Sequence, residues 1–212
     1  MALVKYNNNS ISAVSSLASL PSGALVPIKT LTASGSATMS FVHGSSDVVL
    51  DNTYPIYVFK FINIHPSSES GSPAFSVNFS TDSGSNYNVT KTTTCFASYH
   101  AENDSASAVA YRTSDDIAQG TGFQILNTDS GADNDQSTSG EMFLFNPSSD
   151  TFVKHFISNT NFSQLNDLSM SFYVAGYCNT TSAINGVQFK FSIASSVNID
   201  SGKIKLYGIK DS

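Results

Sequence analysis

Residues 54–66 read YPIYVFKFINIHP, and almost every one of them is a strong β-former. Ile56, Val58, Ile62 and Ile64 fall on one parity, and Tyr57, Phe59 and Phe61 on the other. Lys60 alone interrupts the first row and Asn63 the second. Successive side chains of a strand point to opposite faces, so this strand asks for cover on both sides. One face meets the core, and the other meets a loop of the same chain or a neighbouring subunit. Met142 and Leu144 against Phe143 and Phe145, and Phe172 and Val174 against Tyr173 and Ala175, show the same two-sidedness. Three such strands exceed what scattered surface apolar residues explain. We therefore expect an oligomer interface that includes Tyr57, Phe59, Phe61, Phe143 and Phe145.

Elsewhere the alternation is one-sided. Phe75, Val77 and Phe79 alternate with Ser76, Asn78 and Ser80, and Val187, Phe189 and Phe191 alternate with Gln188, Lys190 and Ser192. The apolar members are expected in the core and the polar ones in water. Ala37, Met39 and Phe41 begin a similar strand, and further strands are predicted over 25–31, 92–99, 109–112, 122–126, 141–145, 152–157, 170–178 and 203–209. Between them lie HPSSESGSP, STDSGSNYN, NTDSGADNDQSTSG, NPSSD and NIDSG, whose Asn, Asp, Gly and Pro suit tight turns. One short helical turn is expected at 114–120, capped by Ser114 and ended by Gly120. The fold predicted is all-β: an antiparallel β-sandwich, jelly-roll-like, over residues 23–212. Residues 1–22 differ, being rich in Ser and Asn with loosely spaced apolar residues such as Leu3, Tyr6, Ile11 and Leu17. They cannot bury enough apolar area to fold alone, and read as an extended N-terminal arm that orders against a partner chain.

Composition narrows the class. Hydrophobic residues form 40% of the chain, enough for a core, while charged residues form 12%, about half the usual share. The net charge is −6, Arg112 is the one arginine, and the lysines are scattered. Phosphate binding needs clustered cations, so nucleic acid is not an expected partner. No apolar run reaches the ~20 residues of a membrane helix, and the interrupted N-terminus lacks a signal peptide's continuous apolar region. Production in a cytoplasm without export is expected, with Cys95 and Cys178 as buried free thiols.

Catalytic chemistry is hard to find. His43, His65, His100 and His155 stand in no metal-ligand spacing, no GxSxG occurs, and Asp115 and Asp116 are adjacent, so their side chains diverge. The chain does not read as an enzyme, and no cofactor is expected. Asp129, Asp133 and Asp135 flank a glycine turn and form a weak candidate for a hard cation, although the spacing departs from an EF-hand and a solvated turn is the better reading. Tyr87, Tyr99 and His100 are the candidates for contact with a glycan or protein receptor, by ring stacking and hydrogen bonding.

The start MALVKYNNNSISAVSSL, the strand FKFINIHP with the following FSVNFSTDSGSNYN, then SSDTFVKHF, YCNTTSAINGVQFKFS and the terminal IDSGKIKLYGI together resemble a group of small proteins encoded by tailed phages, especially of marine bacteria. The likeness runs over nearly the whole chain. It implies a jelly-roll-like component of the virion and threefold assembly, and no catalytic residue is carried over from it. The function expected is that of a tail- or fibre-peripheral subunit touching the host surface. The alternatives are a capsid decoration protein and a carbohydrate-binding module. Removing residues 1–22 is expected to leave the sandwich folded and to abolish incorporation into the particle. A truncated protein that melts much lower yet still assembles would make the arm part of the core.

Overall fold

In a computed structural model, residues 24–193 and 196–211 are described; the expected arm at 1–22 lies outside them. Twelve strands are present among the described residues. They are β1 (Leu25–Thr32), β2 (Met39–Val42), β3 (Ile56–Pro66), β4 (Phe75–Ser80), β5 (Lys91–Ala101), β6 (Ser107–Tyr111), β7 (Gln124–Ile125), β8 (Thr138–Phe145), β9 (Lys154–Gln164), β10 (Leu168–Cys178), β11 (Gly186–Phe191) and β12 (Ile199–Ile209). The helical turn expected at 114–120 does not form. Thr93 Oγ1 takes the Ile117 amide at 2.8 Å, and Lys91 exchanges backbone bonds with Gly120. The segment is tied to β5 instead of to itself.

All pairings are antiparallel and build two sheets, a large one in the order β1-β12-β3-β8-β9-β10-β5-β6 and a small one in the order β2-β11-β4-β7. From β2 onward the chain passes repeatedly between them. The small sheet, together with β3, β8, β5 and β6, has the strand order of a jelly roll. The β9–β10 hairpin is spliced between β8 and β5, and β12 and β1 extend the sheet beyond β3. The predicted sandwich is therefore present, with a large sheet twice as wide as the small one.

The core lies between the sheets and is rich in phenylalanine. Tyr57, Phe59 and Phe61 of β3 are buried on its inner side, as are Phe75, Val77 and Phe79 of β4 and Phe189 and Phe191 of β11. Phe189 packs edge-on to Phe61 at 5.3 Å between centroids, tilts against Phe59 at 5.4 Å and stacks on Phe75 at 5.7 Å. The core assignment of β4 and β11 holds, but the water-facing assignment of β4 does not. Ser76, Asn78 and Ser80 are fully buried, because two neighbouring segments lie over that face. Asn78 Nδ2 donates to the Tyr87 and Thr121 carbonyls at 2.6 and 3.0 Å, and Ser76 Oγ bonds Ser192 Oγ at 2.6 Å.

Two boundaries differ by four residues or more. The NIDSG cluster, read as a turn, lies largely within β12, where the ladder with β3 shifts register around Ser201. Gly202 there has φ +110°, and an added Cβ would sit 2.4 Å from the Asn63 carbonyl oxygen, so the bulge needs glycine. β9 runs to Gln164, past the predicted end at 157, since Asn159 and Asn161 occupy its outer face.

Phe189 touches both sheets, so its truncation opens a cavity that neither sheet can close alone. Phe189→Ala is expected to cost about 3–5 kcal/mol in urea-induced unfolding. A loss below about 1 kcal/mol would place the residue outside the core.

Candidate functional site: the outer face of the large sheet

Three of the five residues expected at a subunit interface face the wrong way for it. Tyr57, Phe59 and Phe61 are 0–2% exposed within a single chain. Their inward parity is fixed by the aromatic cluster, and the Tyr57 hydroxyl donates to the Asp51 carbonyl while accepting the Asp51 amide, both at 3.0 Å. Burial raises that phenol to about 12. Phe143 and Phe145 stand on the opposite, outer face of the sheet, half-buried, with rings stacked at 6.3 Å.

The outer face carries an apolar band. Register places Tyr207, Val58, Phe143, Ile157 and Ala175 side by side across β12, β3, β8, β9 and β10. A neighbouring row holds Ile209, Ile56 and Phe145, and farther on His155 and Tyr177, whose rings lie 6.0 Å apart. Between His155, Ile157, Ala175, Tyr177 and Thr94 the surface sinks into an open depression of about 420 Å³. The band is bounded by a polar row where Lys60 pairs with Glu141 and Asn159 follows. Cross-strand neighbours cover one another here, and Val58 is only 1% exposed although it points outward.

Along that polar row, toward the β6 edge, Tyr173, Phe96 and Tyr111 continue as an aromatic run. Phe96 stacks on Tyr173 at 4.9 Å with 27° between planes, and Phe96 and Tyr111 remain 45% and 51% exposed. The Tyr111 hydroxyl donates to the Asp116 carboxylate at 2.6 Å, which raises its pKa. Sequence reading places Tyr173 on a second apolar face but does not single out Phe96 or Tyr111, although Phe96 sits opposite a buried parity in its strand.

The receptor candidates do not form one group. Tyr99 belongs to the inner parity of β5 and packs against the core margin, whereas His100 points outward, with Nε2 3.0 Å from Asp104 Oδ1. Tyr87 lies in the segment over β4, half-buried, its carbonyl held by Asn78. Asp129, Asp133 and Asp135 are not gathered either: among the described residues no three His, Cys, Asp or Glu side chains converge on a metal position. Instead the Asp133 carbonyl lies 3.1 Å from Nε2 of His65, whose Nδ1 is 2.8 Å from Asp200 Oδ1.

The inner face contains one row that nothing in the sequence pattern announced. Lys154, Cys178 and Lys91 are consecutive partners across β9, β10 and β5, all fully buried. Lys91 Nζ donates to the Gly122 carbonyl at 2.7 Å and Lys154 Nζ to the Thr180 carbonyl at 3.2 Å. Burial lowers both amines, Lys91 to about 8, while the nearby thiol opposes the shift. Burial raises the Cys95 and Cys178 thiols to about 12.

The Lys91 shift sets a pH dependence. From about pH 8 to 10.5 the unfolded chain keeps a proton that folded Lys91 has lost, so this group's contribution to stability rises with pH. The two thiols act oppositely above about pH 9, so a difference measurement isolates the lysine. The unfolding free energy of the wild type relative to Lys91→Met is expected to rise by about 1–2 kcal/mol between about pH 7.5 and 9.5. A flat difference would mean that the ammonium reaches water. Comparisons with protein-family models, with curated proteins and with solved structures found no match for this chain.

Proposed function

We propose that the protein is a non-enzymatic structural subunit of a phage particle, at the tail or fibre periphery, that assembles with copies of itself through the outer face of its large sheet. The observation that carries this reading is the apolar band through Tyr207, Val58, Phe143, Ile157 and Ala175, with Phe145 and Tyr177 beside it. Val58 is already covered by its neighbours, but Tyr207, Phe143, Phe145, Ile157 and Tyr177 are only half-buried, and a part-exposed apolar band spanning five strands is a contact surface in search of cover. The particle context rests on the resemblance of IDSGKIKLYGI and its companion segments to phage virion proteins, which also implies a trimer. In that setting the loops at the ends of the sandwich are left to meet the host surface.

A sugar-binding role is the second reading, favoured by the exposed rings of Phe96 and Tyr111 in line with Tyr173. Pyranose rings stack on such surfaces, and Asn161 and Ser171 stand in the adjacent row. Retention on immobilised glycans that is lost on Phe96→Ala would support it.

Sedimentation at micromolar concentration tests the leading proposal. The wild type is expected to sediment as a closed oligomer. Phe143→Lys, which puts a charge in the middle of the band, is expected to shift it to a smaller species with cooperative unfolding retained. A monomeric wild type, or an oligomer indifferent to Phe143→Lys, would overturn the assignment of this face.

A further inference from the structure

The large sheet ends in two very different edges. At β1, Pro27 lacks a donor, the ladder shifts register between Pro27 and Lys29, and Lys29 adds a charge. These are the usual devices against strand addition. At the other edge β6 reads Ser-Ala-Val-Ala-Tyr, with no proline and no charge. Its register with β5 is unbroken from Ser107 to Tyr111, and all five residues are exposed. In the small sheet the outer strands span only four residues (β2) and two (β7).

Backbone parity shows what β6 offers. The Ala101 amide donates to the Ala106 carbonyl at 2.8 Å and the Arg112 amide to the Cys95 carbonyl at 2.9 Å. The even-numbered residues of this strand therefore bond to β5, and Ser107, Val109 and Tyr111 turn both backbone groups outward. This outward set is symmetric about Val109.

We infer that β6 pairs with β6 of a second copy, antiparallel about a twofold axis at Val109, joining two large sheets into one. Val109 then lies opposite its own counterpart, and Ser107 lies opposite Tyr111 of the second copy. Each of the three outward residues finds a partner for both backbone groups. Ala108 and Ala110 keep the inner side of the junction free of bulk, and each Tyr111 ring meets a short serine on the outer side. A second copy fits better than a foreign strand because it brings an equal edge in equal need. Pairing uses up both edges and leaves a blunted β1 at each end, so growth by strand addition stops at two. This contact is separate from the apolar band and does not depend on it.

Cysteine trapping tests the axis. Across a hydrogen-bonded antiparallel pair the Cα atoms are about 5.5 Å apart, within reach of a disulfide. The two copies of residue 111 would lie roughly 14 Å apart, beyond it. Both positions are exposed, and the native thiols are buried. Under mild oxidation of the full chain, Val109→Cys is expected to form a cross-linked dimer at least about tenfold faster than Tyr111→Cys, because only the former meets its counterpart. Equal rates, or no cross-link from either, would overturn the proposal. Val109→Lys is expected to raise the dissociation constant of the pair about tenfold or more with cooperative unfolding retained, as like charges face each other. An unaltered constant would also overturn it. Adding Phe143→Lys to Val109→Cys should leave the cross-link intact, which separates this contact from the band.

Discussion

The structure turns on the packing of one aromatic ring between two sheets. Phe189 belongs to the small sheet, yet it lies within 5.4 Å of the centroids of both Phe59 and Phe61 in the large one and stacks on Phe75 beside it. Phe41 meets Phe59 and Phe189 from the next strand at 5.3 and 6.3 Å. Rings of this size interlock in few arrangements. Once they are set, β3 has no freedom to present Tyr57, Phe59 or Phe61 outward, and its outer row follows by alternation. The surface that is free for contact is thus fixed from inside the core.

The unequal widths of the sheets create the remaining demands. Four strands cannot cover eight, so irregular segments fill the uncovered inner surface, and their polar backbones need partners. Asn127 supplies several: its Oδ1 accepts the Phe75 amide at 2.7 Å and Ser130 Oγ at 2.9 Å, and its Nδ2 donates to Thr138 Oγ1 at 2.6 Å. Gln124 does similar work beside β5, accepting Thr93 Oγ1 at 2.6 Å and donating to the Asp115 carbonyl at 2.9 Å. Among the described residues no buried side-chain nitrogen or oxygen is left without a partner. Buried Ser, Thr, Asn and Gln here replace a missing layer of strands.

The fold was legible where hydrophobic alternation was regular. β4 is found at its predicted bounds, and β5, β10 and β11 within two residues of theirs. What could not be read was which of two apolar parities faced inward, since Tyr57 and Val58 are equally good core residues until a partner sheet is specified. Ser76 and Asn78 read as solvated because alternation records the hydrophobicity of a face and not the covering segment, which lies up to 43 residues away in the bond from Asn78 to Thr121. Lys91 and Lys154 were missed for a related reason. A lysine within a strand signals water, and its burial shows only when the carbonyls of Gly122 and Thr180 are in place. The outer aromatic run through Phe96 was similarly hidden, because Tyr173 reaches it from β10, far along the chain from Phe96 and Tyr111.

The pairing of β1 with β12 joins the two ends of the described chain, with Leu25 opposite Ile209. β12 also supplies the partner on the open side of β3. During synthesis β3 therefore emerges well before β12 and waits for it before that edge is satisfied. Until then Phe59 and Phe61 sit in a strand with a bare edge, while the β8–β9–β10 meander closes through short local connections. Long-range pairing of this kind is slow, and an unpaired apolar edge invites pairing with other chains. A chain interrupted before Ile199 would lose more than β12: it would leave β1 without a neighbour and β3 half-paired, turning an interior strand into an aggregation edge.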